Sequence, residues 1–273
     1  MKKERVDVLL FERGLAETRE KAKRAVMAGI VYSNEVRVDK PGDKLPIDVP
    51  LTIKGKTMPY VSRGGYKLEK ALQVFDLDIQ NRIMVDIGSS TGGFTDCALQ
   101  NGVQKSYAVD VGTNQLAWKL RNDERVIVME KTNFRYAEAA DFTEGLPDFA
   151  TIDVSFISLT LILPALAKIL QPNGDCVCLV KPQFEAGKEQ VGKKGIVKDK
   201  KVHLEVVEKI ADFAVAVGFT LCDATFSPIT GGDGNIEFLF HLKWADDGES
   251  DGGRISLVEI VDLAHHALRT NQG

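Results

Sequence analysis

The 273-residue chain has 44% hydrophobic and 27% charged residues, a globular composition that excludes intrinsic disorder, and its length exceeds the ~150 residues of an average domain. The formal net charge of -4 excludes a uniformly basic nucleic-acid binder, yet residues 1–70 hold 16 Lys/Arg against 10 Asp/Glu while the remainder holds 19 against 29. A basic front end on an acidic body points to a polyanion-binding module fused to a domain with another task. The longest apolar stretches, such as Leu159 to Leu170, fall short of the roughly 18–20 residues that span a bilayer, and no signal-peptide core stands at the N-terminus, so a cytoplasmic protein without membrane contact is expected. Cys97, Cys176, Cys178 and Cys222 lack paired spacing and read as small buried hydrophobes. His203, His241, His265 and His266 offer no ligand spacing, so no metal is expected, and His265 and His266 are read as helix-surface residues.

In chain order, the pattern predicts a helix over Arg5 to Arg13, a turn at Gly14 and a second helix from Thr18, its N-cap, to Ala28, with Gly29 as the stop. Short strands are predicted at Ile30 to Ser33, Glu35 to Val38 and Leu51 to Lys54, with Ser33-Asn34 as a turn. Arg19, Lys23 and Arg24 form a basic helix face while Ala22, Ala25 and Val26 point inward. Taken alone, that face is better explained by solvation. The runs Arg5-Val-Asp-Val-Leu-Leu, Thr18-Arg19-Glu-Lys-Ala22, Ala25 to Gly29, Val31 to Val38 and Lys40-Pro-Gly-Asp resemble the S4 RNA-binding module. The resemblance implies that the second helix and the following hairpin meet structured RNA. Candidate RNA contacts are Arg5, Arg19, Lys21, Lys23 and, beyond the module, Arg63.

Lys56-Thr-Met-Pro-Tyr-Val reads as a connector, giving an expected S4-like domain over 1–58, a linker over 59–65 and a second domain over 66–273. That domain opens with a helix at Tyr66 to Phe75. Strands follow at Ile83 to Ile87, Ser106 to Asp110, Val126 to Glu130, Phe149 to Asp153 and Cys176 to Val180, separated by helices at Gly93 to Gln100, Gln115 to Arg121, Leu159 to Leu170 and, after the last, Val202 to Val217. The alternation predicts an α/β fold, a Rossmann-like and mostly parallel sheet with helices on both faces. Strands at Thr220 to Phe226 and Ile236 to Leu242 have no helix between them and should form an antiparallel pair, as in class I methyltransferases. Asp246 to Gly253 is read as an acidic glycine-rich loop and Ile255 to Leu268 as an amphipathic helix.

Asp86-Ile-Gly88-Ser89-Ser90-Thr-Gly92-Gly93-Phe94 follows the first strand of this domain and opens a helix, so backbone can approach a ligand closely. The pyrophosphate-binding G-x-G-x-x-G pattern fails at Ser90, and Asp86 would repel a pyrophosphate. A cationic, phosphate-free ligand such as S-adenosylmethionine suits the loop. Asp110, ending the next strand, stands where a carboxylate meets ribose hydroxyls.

Asp153 and Lys181 end two parallel strands, at the sheet edge where α/β folds bind ligands. Glu237 begins an antiparallel strand at the same edge, and Lys67 lies in the first turn of the opening helix. Two lysines alternating with two carboxylates suit deprotonation of a weakly acidic alcohol such as a ribose 2′-hydroxyl, with Lys181 as general base or proton acceptor. Each residue alone would be read as a solvated loop end.

The four in this order resemble the tetrad of FtsJ-like ribose 2′-O-methyltransferases. Ser62-Arg63-Gly64-Gly65-Tyr66-Lys67, Asp86 to Thr95, Asp153-Val-Ser-Phe-Ile-Ser158, Val180-Lys-Pro-Gln-Phe-Glu185 and Gly195-Ile-Val, with the S4 module in front, resemble the TlyA family of bacterial ribosomal RNA methyltransferases, historically also called haemolysins. The resemblance implies a 2′-O-methylcytidine product in ribosomal RNA, with ribosomal RNA or a ribosomal subunit as partner. It also implies a cofactor set of Asp86, Gly88, Ser89, Gly92, Gly93, Phe94, Asp110 and Asn133, although Asn133 departs from the acidic residue expected near adenine. The lysine-rich loop Gly187 to Lys201 is read either as a closing flap or as plain solvated chain. No segment fits methylation of an exocyclic amine or of a pyrimidine carbon. Two alternatives stay open, a membrane-lytic haemolysin and a non-enzymatic ribosome-assembly factor.

Overall fold

In the computed structural model, which describes residues 3–34, 36–54, 58–231, 234–244 and 256–269, the chain divides between Pro59 and Tyr60 into two units. The first comprises β1 (Lys3–Arg5), α1 (Val6–Glu12), α2 (Arg19–Met27), β2 (Val31–Ser33), β3 (Val36–Arg37), β4 (Lys44–Pro46) and β5 (Thr52–Ile53). The Thr18 hydroxyl accepts from the Lys21 amide at 3.1 Å and starts α2, as its N-cap position predicts. Val6, Leu9 and Leu10 of α1 pack on Ala22, Ala25 and Val26 of α2, and Val31, Val38 and Leu51 close this core. Two short ribbons cover it, β1 against β4 and β3-β2-β5, all antiparallel.

One buried charge organises the unit. Asp7 is wholly buried in the first turn of α1, and it receives Arg5 Nε at 2.9 Å and Arg19 Nη2 at 3.1 Å. The pairs join β1, α1 and α2, elements too short to hold one another by backbone bonds alone. Strands β1 and β4, three residues each, are absent from the sequence-based expectation because so short a run carries no usable alternation.

The second unit contains α3 (Gly64–Val74), β6 (Ile83–Ile87), α4 (Gly93–Gln100), β7 (Lys105–Val109), α5 (Trp118–Arg121), β8 (Val126–Met129), β9 (Phe149–Ile152), α6 (Leu163–Leu166), β10 (Asp175–Val180), α7 (Pro182–Glu185), α8 (Lys200–Val217), β11 (Phe219–Phe226), β12 (Phe238–Trp244) and α9 (Leu257–Arg269). Its sheet runs β11-β12-β10-β9-β6-β7-β8, parallel except for β12, which is antiparallel to both neighbours. Strands buried on both faces are near-continuous apolar runs, as in Cys-Val-Cys-Leu-Val of β10. One face packs on residues of α8 and α9, including Val206, Ile210, Val261 and Ala264; the other packs on Leu68, Leu72, Cys97 and Ala98 of α3 and α4.

The single helix expected over Leu159 to Leu170 is broken into a 3-10 turn at Leu159–Leu161 and the four-residue α6. Pro164 lacks an N–H and clashes with a preceding turn, so a helix accommodates it only near its start. The helix expected over Gln115 to Arg121 is likewise confined to α5, and α3 starts at Gly64, within the stretch read as linker. His265 is a correction: it is buried, and its Nε2 lies 2.7 Å from Nδ1 of buried His203 on α8. Cys97, Cys176 and Cys178 are buried and Cys222 half-buried, all as free thiols. Glu35, Lys56, the loop Asp246 to Gly253 and the start of the last expected helix at Ile255 lie outside the described residues. Among the described residues no helix is long and apolar enough to cross a membrane.

The two arginines hold the Asp7 carboxyl below the usual range even though burial pushes it the other way. A depressed carboxyl contributes stability that is present above its unfolded value, near pH 4, and is lost as pH falls through the lower folded value. Asp7→Asn should therefore destabilise the first unit by about 2 kcal/mol at pH 7, since both arginines are half-exposed and rehydrate. Hydrogen exchange of α1 and α2 amides in the full chain reads this directly, and the difference between parent and variant should vanish in acid.

Candidate active site

Strand order reverses at β6: the chain moves outward through β7 and β8, then returns to place β9 on the other side of β6. At such a switch point the carboxyl ends of the strands diverge and leave a crevice. Here the ends are close. A Cβ on Gly88, whose φ is +84°, would lie 2.6 Å from the Asp153 carbonyl oxygen, so only glycine lets the loop after β6 pass the end of β9. The Gly88 and Ser89 amides donate to the Val109 carbonyl at 2.9 and 3.0 Å, folding the loop over β7. Ser90 takes a φ of +48°, and its amide donates to Asp110 Oδ2 at 2.8 Å.

Asp86, buried beneath the loop, is the loop's internal support. Its Oδ2 accepts from the Thr95 amide at 3.1 Å and hydroxyl at 2.6 Å, and Oδ1 accepts from the Thr151 hydroxyl at 2.9 Å. Burial outweighs these donors and pushes the carboxyl up to about 6. The two threonines escape a reading of the sequence because each looks like an ordinary strand or helix residue; only the pairing of Asp86 with Thr151 across β6 and β9 identifies them.

Lys67, Asp153, Lys181 and Glu237 converge although four different elements supply them. Phe238 pairs with Val180 as the last register of β12 on β10, which brings Glu237 and Lys181 to the same edge. Lys67 projects from the inward face of α3, where Leu68, Ala71 and Leu72 are also buried. Its Nζ donates to Glu237 Oε2 at 2.8 Å and to Asp153 Oδ2 at 3.5 Å. Lys181 Nζ lies 2.5 Å from Asp153 Oδ1 and donates to the Ser155 hydroxyl at 3.3 Å. The order is carboxylate, lysine, carboxylate, lysine. Burial pushes the Lys67 ammonium toward neutrality, but Asp153 and Glu237 more than offset it and hold the group above its ordinary value. Asp153 faces the same contest: burial raises its carboxyl, yet Lys67 and Lys181 keep it below the usual range.

Two cavities meet at this chain. One, of about 370 Å³, is lined by the four residues together with Ser62, Arg63, Asp86, Ser89, Gly93, Phe94 and the 229–231 turn. The other, of about 330 Å³, runs along the ends of β6 and β7 past Val111, Gln115, Asn133, Phe134 and Ile162. Gly88, Ser90, Asp153 and Ser155 line both. The second cavity contains the carboxylates of Asp110 and Asp153 and no cationic side chain, which suits an uncharged or cationic nucleoside and opposes a phosphate. Within it the Asn133 side chain is partly occupied, accepting from the Arg135 amide at 3.3 Å. Gly92 lies behind the loop as the N-cap of α4. Ser155 and the 229–231 turn were not singled out from the sequence; small loop residues carry no signal of their own.

The basic residues expected to meet RNA are differently placed. Arg63 is exposed at the rim of the first cavity. Arg5 and Arg19 turn toward Asp7, Lys21 pairs with Glu17, and Lys23 lies 3.3 Å from Glu20, each remaining about half-exposed. Among the described residues, no group of His, Cys, Asp and Glu has the arrangement of a metal site.

Comparison with known proteins places this geometry among methyltransferases. The family model described as FtsJ-like methyltransferase matches residues 60–244, and that of the S4 domain matches residues 4–48. A Bacillus subtilis (strain 168) protein named as a candidate rRNA methyltransferase, YqxC, is 65% identical over 271 residues, covering 98% of this chain and 96% of its own. The Mycobacterium tuberculosis (strain ATCC 25618 / H37Rv) protein named 16S/23S rRNA (cytidine-2′-O)-methyltransferase TlyA is 38% identical, with 97% of each chain covered. A solved structure described as a candidate hemolysin from Streptococcus thermophilus superimposes with a TM-score of 0.79 at 59% identity, covering 100% of this chain and 99% of that one.

The reach of Lys67 depends on α3 lying directly on α4. A Cβ on Gly93 would stand 2.8 Å from the Gly65 amide nitrogen, whereas one on Gly64 would meet nothing closer than Ser62 Oγ at 3.4 Å. Gly93→Ala should thus destabilise the second unit by about 1–3 kcal/mol through overpacking, while Gly64→Ala stays within about 0.5 kcal/mol of the parent. Chemical denaturation of the two variants separates these values; equal midpoints would contradict the close contact.

Proposed function

This chain belongs to the FtsJ-like methyltransferase family, with an S4 domain ahead of the catalytic fold, and from that premise we propose that it transfers a methyl group from S-adenosylmethionine to the ribose 2′-hydroxyl of a cytidine in ribosomal RNA. The observation that carries the reading is the alternating chain Glu237, Lys67, Asp153, Lys181 at the junction of the two cavities. The names of the relatives support the rest, since the Mycobacterium tuberculosis protein is named for cytidine 2′-O-methylation of 16S and 23S rRNA.

S-adenosylmethionine, when bound, supplies an electrophilic methyl group on a positively charged sulfur. The second cavity would hold its nucleoside: Asp110 at the ribose hydroxyls, Asn133 and Phe134 beside the base. Backbone of Gly88 and Ser89 would face its amino-acid end, and Asp86, Gly92, Gly93 and Phe94 keep that loop in shape. The target ribose enters the first cavity, where Lys181 takes the proton of the 2′-hydroxyl. Asp153 aims the Lys181 amine, and Lys67 remains an ammonium between Asp153 and Glu237. Taking that proton turns the Lys181 amine into an ammonium and brings the four groups to net neutrality. The protein's larger contribution is alignment of oxygen and methyl carbon.

For RNA binding, Arg19 and Lys23 stay about half-exposed on one face of α2 and Lys21 on another, with Arg5 adjacent through Asp7, and Arg63 marks the entrance to the first cavity. Phosphate contacts of this kind bind by position and salt-dependent attraction, not by sequence.

The test is methyl incorporation into unmodified ribosomal subunits by parent and Lys181→Ala. The variant should lose roughly 10²- to 10⁴-fold in rate while its affinity for S-adenosylmethionine, measured by calorimetry, stays within about threefold. Unchanged transfer by the variant would overturn the role of Lys181.

A further inference from the structure

One buried carboxylate fastens the turn after β10 to the turn after β9. Glu185 ends α7, four residues beyond Lys181, and reaches the loop that follows Asp153: Oε2 accepts from the Ser158 hydroxyl at 2.6 Å and Oε1 from the Leu159 amide at 2.7 Å. Leu159 opens the 3-10 turn, so the second bond satisfies an amide that a helix start leaves without an internal partner. Among the described residues no cation lies within ion-pairing distance of this carboxylate; Lys209 of α8 donates instead to the Glu185 carbonyl oxygen at 3.0 Å. Burial raises the Glu185 carboxyl above its usual range. An anion held by two neutral donors away from water is an expensive way to hold a turn, and stability alone does not account for it.

The geometry between the two turns does. Lys181 starts α7 and Glu185 ends it; Asp153 and Ser158 bracket the other loop. Within that loop Phe156 has a φ of +64° and is 91% exposed, a strained conformation for a bulky aromatic residue that persists only when its surroundings impose it. The turns touch at three levels: Lys181 on Asp153 and Ser155, Phe184 on Phe156 with ring centroids 4.9 Å apart, and Glu185 on Ser158 and Leu159. The last sets a buried carboxylate against two donors, one of them a buried backbone amide. We propose that Glu185 is a positioning residue for methyl transfer, gripping Ser158 and Leu159 so that the 153–158 loop keeps its strained form and Asp153 stays in register with Lys181. The proposal rests on the methyl-transfer reading above.

Three full-length variants test it: Glu185→Ala, Glu185→Gln and Ser158→Ala. A glutamine can accept from the Leu159 amide and donate to the Ser158 hydroxyl, keeping the tether without its charge. With ribosomal subunits as substrate, Glu185→Ala should lose roughly 10- to 100-fold in kcat with KM within about threefold, and Glu185→Gln should recover to within about threefold of the parent. Ser158→Ala, which leaves the carboxylate in place, should lose roughly three- to tenfold and covers the case in which Glu185→Ala does not fold. Hydrogen exchange at the Leu159 amide should quicken in Glu185→Ala and slow again in Glu185→Gln. A Glu185→Ala kcat within about twofold of the parent, equal impairment of the alanine and glutamine variants, or an unchanged Leu159 amide would each overturn the proposal. Were the parent itself to transfer no methyl group, the reaction assignment would fail, while the amide-exchange comparison would still decide whether the tether exists.

Discussion

Two carboxylates and two lysines forced together at one sheet edge have to compensate one another, and the second unit is arranged around that requirement. Glu237, Lys67, Asp153 and Lys181 alternate acid with base, with nitrogen–oxygen separations of 2.8, 3.5 and 2.5 Å along the chain. Removing Lys67 or Asp153 leaves Glu237 or Lys181 without its ion-pair partner, which is far more damaging than removing both members of a pair. The antiparallel setting of β12 follows from this need, because a parallel strand would carry Glu237 to the opposite edge. The glycines follow as well: Gly88 lets the loop after β6 pass the end of β9, and Gly93 lets α3 settle on α4 until Lys67 reaches the crevice. The close backbone approaches bring the four side chains together.

Much of this was legible in the sequence, for a definite reason. Asp153 and Lys181 each terminate an apolar run, and a polar residue at the carboxyl end of a parallel strand stands at the ligand edge whatever the loop lengths are. The Rossmann-like alternation survives the same way, since the inner parallel strands, buried on both faces, leave conspicuous runs. The rest depends on pairings between distant residues. Thr95 and Thr151 matter only because the β6–β9 register sets them around Asp86, and Glu185 matters only because α7 turns back toward Ser158. Neither relationship has a local signature. The broken helix at 159–166 is the reverse case: Pro164 announced the break, and the apolar periodicity around it obscured the announcement. His265 was misread because its burial comes from the packing of α9 on α8, which the periodicity of α9 alone does not specify.

The first unit shows a different economy of charge. A basic helix face invites a nucleic-acid reading, yet Arg5 and Arg19 are also structural, bound to Asp7 at the centre of the unit. Their guanidiniums remain about half-exposed, so one group can both brace α1 against α2 and present nitrogens to a phosphate. Such bracing fixes both guanidiniums in place around Asp7.

The central claim is that the chemistry falls on a ribose hydroxyl. A 2′-O-methyl group removes the nucleophile that cleaves the RNA backbone in alkali, so unmodified ribosomal RNA treated with the purified protein and S-adenosylmethionine, then partially hydrolysed at high pH, gives the most direct measurement. A gap at a cytidine is expected in an otherwise continuous ladder, absent when the methyl donor is withheld. A continuous ladder from RNA that has nevertheless gained methyl groups would put the modification on a base and contradict it.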